Sequence, residues 1–143
     1  MNIKIKKLHQ NAVIPKYAKL GDACVDLMAV SVTENTEHDY IEYGLGVSVE
    51  IPPGYVGLIF PRSSVTNHYL MMKNGVGVID SGYRGELKAR FQSMFPGMNE
   101  NVYVIGDRVC QLMILPIPVI EFDEVLELSE TERGDNGYGS SGR

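Results

Sequence analysis

The sequence predicts an all-β fold, because short apolar or alternating segments recur with turn residues between them. The segments are Ile3/Ile5, Val47/Val49/Ile51, Tyr55 to Phe60, Val76 to Ile79, Leu87/Ala89/Phe91, Val102/Val104 and Val109 to Leu115. A Pro-Pro-Gly turn at 52–54 joins two of them, and no window of useful length has a sustained helical period. Many short strands at this spacing are typical of a sandwich, barrel or jelly roll.

One stretch, 63–72, departs from the strand pattern. Ser63 or Ser64 is placed to cap a short helix within it. The pattern does not decide between helix and loop for 69–73.

The composition changes after Glu132. The last eleven residues, RGDNGYGSSGR, include four glycines and have almost nothing to bury. Such a segment is mobile when free, so we divide the chain into a β jelly-roll domain (1–132) and a flexible C-terminal lid (133–143). The segment contains a lone aromatic residue, Tyr138. A functionless frayed end has no need of it, whereas a lid that closes on a flat base does, so we favour the lid.

Composition limits the classes of protein to consider. A chain of 143 residues fits one domain with a real core, and a net charge of −5 argues against binding to nucleic-acid polymers. A nucleotide is still allowed, because local cations or Mg²⁺ can hold its phosphates. The longest apolar stretch, 112–120, has two prolines and is too short to cross a membrane.

The cysteines and the N-terminus bear on location. Cys24 and Cys110 have no metal-ligand spacing, and two free thiols fit an intracellular protein better than a disulfide does. The N-terminal MNIKIKK lacks the apolar region of a secretory signal. We therefore expect a cytoplasmic protein, in a host cytoplasm if it is of phage or viral type.

The most informative segment is NGVGVIDSGYRGEL, at 74–87. Asp80 ends an apolar β-branched run, and the turn Ser81-Gly82 and then Tyr83 follow at once. We expect a buried carboxylate there, placed to accept a proton from water in a cleft. Taken alone, however, the segment favours the plainer interpretation that Asp80 caps its own turn.

Four further segments concentrate glycine, serine, arginine and aspartate. They are GDACVDLMA (21–29), PRSS (61–64), GDRVCQLMILP (106–116) and RGDNGYGSSG (133–142). With 74–87, they resemble in order and spacing the five motifs of the trimeric dUTPase family, over nearly the whole chain. The resemblance implies a homotrimeric β jelly roll whose sites take motifs from more than one subunit. It also implies hydrolysis of dUTP to dUMP and diphosphate.

The third motif would supply the base, sugar and water contacts of such an enzyme. The resemblance implies that Asp80 deprotonates the water that attacks the α-phosphorus. Tyr83 would pack under the deoxyribose and leave no room for a 2′-hydroxyl. Asn74 would pair with the uracil edge, because its amide supplies both a donor and an acceptor. The remaining contacts would come from the backbone of Val78 and Ile79 and from Lys88.

Other motifs would hold the phosphates and the metal. The resemblance implies a phosphate clamp at Arg62, with a hydroxyl from Ser63 and a backbone N–H from Ser64. Gln111 is the polar exception in an apolar strand, and the resemblance places it near the phosphates. The alternative interpretation is that Gln111 lies on an edge strand and faces water. Asp26 would position the cofactor Mg²⁺ through water.

The fifth motif would close over the bound nucleotide. The resemblance implies positive charge from Arg133, stacking of Tyr138 on the base, and anion-binding groups from Gly139, Ser140 and Ser141. The sequence departs from the commonest family residues at Cys24, Ser64 and Asn136, where glycine is usual, and at Tyr138, where phenylalanine is usual.

Three other functions compete with the diphosphatase. A dCTP deaminase shares the fold and an Arg-Ser-Ser motif, but its glutamate lies a few residues past the turn, whereas Glu86 directly follows Gly85 here. A nucleotide-binding relative that regulates a protein partner would leave no readable motif. A purely structural jelly roll gives no reason for five polar clusters in this order.

Overall fold

The protein is described from a computed structural model, which covers residues 1–95 and 101–137. These residues form ten strands and one short 3₁₀ helix, Ser63–Asn67. The strands are β1 (Lys4–Lys7), β2 (Val25–Met28), β3 (Ser31–Asn35), β4 (Tyr40–Gly44), β5 (Val47–Glu50), β6 (Tyr55–Pro61), β7 (Leu70–Met72), β8 (Gly77–Ile79), β9 (Lys88–Ser93) and β10 (Arg108–Pro116). The predicted all-β fold is confirmed.

The strands form two four-stranded sheets and a two-stranded ribbon. One sheet has the order β2-β10-β6-β8, the other the order β3-β4-β9-β7, and β1 pairs with β5. Every pairing is antiparallel. Strands distant in sequence are neighbours, so motifs from separate parts of the chain meet on one surface.

The core lies between the sheets and follows the two-residue period of the strands. In β9, Ala89 and Phe91 are fully buried, while Lys88 and Arg90, which alternate with them, face outward. Phe91 contacts Tyr43 and Tyr103 edge to face, with ring centroids 5.8 Å away in both cases. This aromatic cluster anchors the sheet whose outer surface carries part of the candidate site.

The predicted short helix within 63–72 is present as one 3₁₀ turn, but its predicted serine cap is wrong. A single 3₁₀ turn ends at Asn67, and its N-cap is Arg62, which makes no side-chain capping bond. Neither Ser63 nor Ser64 acts as the cap. The stretch left open between helix and loop includes β7, because pairing with β9 satisfies its backbone groups.

The alternation of Val102 and Val104 does not form a strand. Tyr103 between them is the buried residue, with 3% of its surface exposed, whereas Val104 is 59% exposed. Here the aromatic ring decides which side faces the core. The pattern also missed β3, β4 and β7, which have weak apolar alternation of their own.

Regular structure ends at Pro116 in the described part of the chain, and residues 117–137 are all exposed. The division into a domain at 1–132 and a lid at 133–143 stays a prediction. Both cysteines are free thiols, as expected. No helix among the described residues is long and apolar enough to cross a membrane.

Candidate active site

A pocket of about 600 Å³ opens beside the turn that follows β8. It brings together six residues that the sequence assigned to the base, sugar and water site: Asn74, Val78, Ile79, Asp80, Tyr83 and Lys88. It also includes six that the motifs did not indicate: His38, Tyr40, Glu42, Lys73, Glu86 and Arg90. The pocket therefore lies between the two segments that flank β8 and the outer surface of β4 and β9.

Asp80 is exposed in the single chain, so the expectation of a buried carboxylate is wrong. Its carboxylate does not cap the turn either: among the described residues it makes no hydrogen bond. The turn is held instead by Tyr83 N–H donating to the Asp80 carbonyl (3.0 Å) and by Arg84 donating to the Ser81 carbonyl (2.6 Å). The acid is thus left open toward the pocket, as a general base requires.

Tyr83 is a wall of the pocket and not a core residue, since 43% of its surface is exposed. Its hydroxyl donates to the Glu86 carbonyl at 2.9 Å, and this fixes the ring across the loop. Gly85 lies directly against the ring, where a Cβ atom would collide with it. The loop is therefore built around the position of one aromatic ring.

Two contacts tie this loop to the rest of the domain. Glu86 Oε1 accepts a hydrogen bond from Gly46 N–H at 2.8 Å, and Ser48 Oγ donates to the Arg84 carbonyl at 2.7 Å. The start of β5 and the turn before it thereby fix the position of the loop that carries Tyr83. Glu86 is a structural anchor, whose Oε1 is engaged by the Gly46 backbone.

Lys88 lies in the pocket as part of an ion-pair network that sequence reasoning missed. Glu42 accepts from Lys88 Nζ at 2.6 Å and from Arg90 Nε at 2.8 Å. Partial burial raises the pKa of Glu42, but the two hydrogen bonds outweigh it and hold the pKa below its ordinary value. No local signal could have found Glu42, because its partners are 46 and 48 residues away.

A second polar cluster forms on the sheet that contains β2, β10 and β6. Asp26 Oδ1 accepts from Arg62 Nε at 2.7 Å, and Asp26 Oδ2 accepts from Arg108 Nη1 at 3.1 Å. Arg108 was not assigned a role, although it lies within the fourth motif. Two arginines at one carboxylate leave a net positive charge, which favours an anion such as a triphosphate.

Gln111 belongs to this cluster. It lies directly across from Asp26 in the ladder, and its Nε2 donates to the Pro61 carbonyl at 3.0 Å. Because β10 runs between β2 and β6, the edge-strand interpretation is wrong. The amide lies at the base of the loop that carries Arg62.

The two serines of PRSS differ in environment. Ser64 is half-buried, and its Oγ accepts from Arg62 Nη1 at 3.2 Å. Ser63 is exposed, and its carbonyl accepts from the Thr66 hydroxyl at 2.9 Å. Ser64 therefore contacts the Arg62 side chain directly.

The fifth motif is described only up to residue 137. Arg133 is exposed, and its Nε donates to the Asn136 carbonyl at 3.0 Å within a local turn. The left-handed residue of that turn is Gly134 and not Asn136. The expected contacts of Tyr138, Gly139, Ser140 and Ser141 lie outside the described residues.

The pocket and the second cluster lie apart in a single chain. Gly57 pairs with Ile79 in the antiparallel β6–β8 ladder, so Arg62 and Asp80 follow opposite ends of it. At about 3.4 Å per residue, roughly 20 Å separates them along the sheet. None of Asp26, Arg62 and Gln111 lines the described pocket. The two clusters are therefore separate surfaces on the single chain.

The donor set fits a particular mode of Mg²⁺ binding. No group of three or more His, Cys, Asp or Glu side chains suited to a metal occurs among the described residues, so they form no protein cage. Asp26 is one carboxylate, about a quarter exposed, beside two arginines that suit phosphate. This arrangement fits an ion that keeps most of its waters and binds phosphate oxygens, with Asp26 holding a coordinated water.

Comparisons with known proteins agree with this geometry. A family model described as dUTPase matches residues 10–142. The chain is 40% identical over 144 residues to deoxyuridine 5'-triphosphate nucleotidohydrolase of Corynebacterium glutamicum, covering 99% of this chain and 95% of that protein.

Solved structures from phages of Staphylococcus are similar as well. The dUTPase of bacteriophage 80alpha, a mutant bound to dUpNHpp, is 29% identical with a TM-score of 0.85, covering 99% of each chain. A mutant dUTPase of phage phi11 of S. aureus, described for coordination of a structural Mg(II) ion, is 27% identical with a TM-score of 0.73, covering 89% of this chain and 98% of that one. The chain belongs to the dUTPase family.

Proposed function

We propose that this protein is a dUTP diphosphatase, which hydrolyses dUTP to dUMP and diphosphate. The observation that carries the proposal is the pocket that Asn74, before β8, lines together with Asp80 and Tyr83, after β8. Five of the pocket's six expected residues come from the single motif at 74–87, and the sixth, Lys88, follows it directly. Family membership and the relatives' activity agree with the proposal. We also assign the protein to the cytoplasm, because both cysteines are free thiols.

The base and sugar would bind in this pocket. Asn74 supplies an amide donor and acceptor for the uracil edge, and the backbone of Val78 and Ile79, on the edge strand β8, supplies further groups. Tyr83, held through Glu86, packs under the sugar at a fixed height. A ribose hydroxyl would meet that ring, so the deoxy form is preferred by sterics.

Asp80 acts as the general base. Its carboxylate is free of hydrogen bonds from described residues and follows directly after β8, so it can hold a water and accept a proton from it. The water then attacks the α-phosphorus, and diphosphate leaves. Positioning this water in line with the leaving group supplies much of the rate.

The phosphates would be held by Arg62 and Gln111, with Arg108 and Ser64 beside them. Asp26 would hold a water of the Mg²⁺ ion that accompanies dUTP. When bound, Mg²⁺ neutralises charge on the phosphates and so favours the leaving diphosphate. Ser63 stays in this set as a hydroxyl donor at the start of the 3₁₀ turn.

The assembly proposed is a homotrimer with sites shared between subunits. A separation of roughly 20 Å along the ladder supports a site in which Asp80 of one subunit meets the second cluster of another. The arm after β10 supports this: Val119 and Phe122 are each 92% exposed in the single chain. Apolar side chains so exposed are typical of a surface that another copy covers.

The last segment, 133–143, is proposed as a lid over the bound nucleotide. Arg133 would bring positive charge to the phosphates, and Tyr138 would stack on the base. Closing the site would exclude bulk water from the reaction.

The test is diphosphate release with Mg²⁺ from dUTP, dCTP, dTTP and UTP in parallel, with ammonia followed in the dCTP sample. Release from dUTP and little from the other three supports the proposal. Ammonia from dCTP would indicate a deaminase instead, although the engaged Glu86 carboxylate argues against one. Binding of dUTP without diphosphate release would favour the regulatory alternative.

A further inference from the structure

The proposed uracil contact, Asn74, lies in a short crossover between the two sheets. Strand β7 is an edge strand of one sheet, β8 is an edge strand of the other, and residues 73–76 join them. An edge strand has ladder hydrogen bonds on one side only, so backbone pairing restrains this crossover weakly. Gly75 adds a left-handed residue, with φ +67°. The position of Asn74 therefore depends on further contacts made by the crossover.

The Asn74 side chain supplies no such contact. Its amide makes no hydrogen bond among the described residues, although it lines the pocket. Its Nδ2 lies 3.7 Å from the point that a Cβ atom on Gly77 would occupy, so the amide rests beside the first residue of β8. Gly75 N–H donates to the Met72 carbonyl at 3.0 Å, and Val76 N–H donates to the Asn74 carbonyl at 2.7 Å. These bonds shape the turn, but they are local and do not connect it to the opposite side of the pocket.

Lys73 makes that connection. Its backbone N–H donates to the Arg90 carbonyl at 2.9 Å, which fixes the start of the crossover against β9. Strand β9 lies between β7 and β4, so the Lys73 side chain must cross β9 to reach the turn before β4. There its Nζ donates to the His38 carbonyl and, at 2.9 Å, to the Asp39 carbonyl. These two side-chain bonds, which we call the Lys73 bridge, join the crossover to a turn whose His38 also lines the pocket.

The turn that receives the Lys73 bridge is itself held in place. Asp39 is left-handed, with φ +50°, and its Oδ2 accepts a hydrogen bond from Gln92 Nε2 at 2.6 Å. The Tyr40 ring lies against Arg90, whose Cζ is 4.5 Å from the ring centroid. Lys73 Nζ lies 5.8 Å from the same centroid, and a cation near the face of an aromatic ring is attracted to it. The bridge therefore ends on a fixed turn and restrains the crossover.

We propose that Lys73 is a positioning residue for uracil recognition, which holds Asn74 at the pocket wall through the Lys73 bridge. This inference rests on the proposed function and adds to it a residue to which the motifs assigned no role. A lysine ammonium has three donors, and two of them are used on the His38 and Asp39 carbonyls. Lys73 therefore acts through the backbone that precedes Asn74. An amide held in place before uracil arrives loses less conformational freedom on binding.

The test is a double-mutant cycle of Lys73→Met and Asn74→Ala. Methionine keeps an unbranched side chain and removes all three donors. The measurements are kcat and KM for dUTP and the competitive inhibition constant of dUMP, which reports base and sugar contacts without the terminal phosphates. Lys73→Met should raise KM and the inhibition constant by about threefold to tenfold and change kcat by less than about twofold, because a contact to the base is the same in the ground and transition states. The double variant should be no weaker than Asn74→Ala, because Lys73 acts through Asn74.

Two further variants separate positioning from simple loss of a surface lysine. Lys73→Arg keeps donors for two neighbouring carbonyls, so its KM should stay within about twofold of the wild-type value. Lys7→Met is the matched control, because Lys7 Nζ also donates to a backbone carbonyl, that of Gln10 at 3.3 Å, but does not line the pocket. This control should leave KM and the inhibition constant unchanged. Because Lys73 is exposed, Lys73→Met should melt close to the wild-type temperature.

Several results would overturn the inference. They are a wild-type KM in Lys73→Met, additive losses in the cycle, an arginine variant as weak as the methionine variant, and a loss of dUMP binding that follows a loss of stability. Additive losses would mean that Lys73 acts independently of Asn74. In each of these cases hydrolysis of dUTP by the wild-type protein would still uphold the proposed function. A wild-type protein that neither binds dUMP nor hydrolyses dUTP would overturn both.

Discussion

Asp26 and Arg62, from motifs that are 36 residues apart, meet in an ion pair of 2.7 Å. One is the acid proposed to hold a metal-bound water, and the other is the proposed phosphate clamp. Each is about a quarter exposed, so the pair orders the cluster before any substrate binds. The Asp26 carboxylate therefore has two proposed roles: it pairs with Arg62, and it holds a water of the Mg²⁺ ion.

Asp26→Asn should raise the Mg²⁺ concentration for half-maximal activity by about tenfold or more, because residues that orient metal-bound water contribute that much. The free energy of unfolding should fall by about 1 kcal/mol as the ion pair is lost. The measurements are activity across a Mg²⁺ titration and urea unfolding. Asp22→Asn is the control, since Asp22 accepts from Lys19 N–H in an exposed turn. An unchanged Mg²⁺ requirement in Asp26→Asn would rule out the metal role.

Gly85→Ala should reduce the preference for dUTP over UTP by about tenfold, because a displaced Tyr83 ring no longer excludes the ribose 2′-hydroxyl. The added Cβ collides with the Tyr83 ring and must displace it. Gly82→Ala, in the same loop, is the matched control, because a Cβ there meets nothing within 4 Å. The measurement is kcat/KM for both nucleotides. Equal selectivity in the two variants would argue against Tyr83 as the sugar wall.

Mixing Asp80→Asn with Arg62→Ala subunits should restore activity that neither variant has. If a site takes Asp80 from one subunit and Arg62 from another, about a quarter of the sites in a random equal mixture contain both residues. The proteins are unfolded and refolded together, and diphosphate release from dUTP is compared with each variant refolded alone. No recovery, in mixtures shown by light scattering to be trimeric, would place both residues in one subunit's site.

Glu42→Gln should make the free energy of unfolding fall less steeply with decreasing pH than in the wild-type protein. The folded-state pKa of Glu42 lies below its ordinary value of 4.5, so its contribution is complete above that value and is lost as pH falls through the folded-state pKa. The measurement is the urea midpoint from about pH 7 to about pH 3. Glu34→Gln, on the neighbouring strand β3, should keep the wild-type pH dependence. The same slope in both variants would contradict a stabilising role for the Glu42 network.

Deleting the chain after Glu132 should lower kcat by about 100-fold or more while the melting temperature stays the same, because closure excludes water and positions the substrate. Residues 133–137 are exposed and hydrogen-bond only locally, so their removal takes away little packing. The measurements are kcat for dUTP and thermal unfolding. Tyr138→Ala should show a smaller loss of the same kind. A large fall in melting temperature would contradict the lid.

The strands at Tyr55–Pro61, Lys88–Ser93 and Arg108–Pro116 were predictable, because burial on one or both sides imposes a local pattern. Strand β3 was not, since all but its last residue are exposed. The short helix expected within 63–72 stops at Asn67, because backbone pairing with β9 makes Leu70–Met72 a strand. The Glu42–Lys88–Arg90 network could not be predicted, because it depends on the β4–β9 register.

The sequence by itself determined the all-β class and the set of chemical groups, because strand alternation and motif order are local properties of the chain. The tertiary structure decided where those groups lie. The antiparallel register of β6 and β8 sends Arg62 and Asp80 to opposite ends, and the same fold leaves Asp80 exposed. Register depends on pairing between distant segments, which no local pattern of residues specifies.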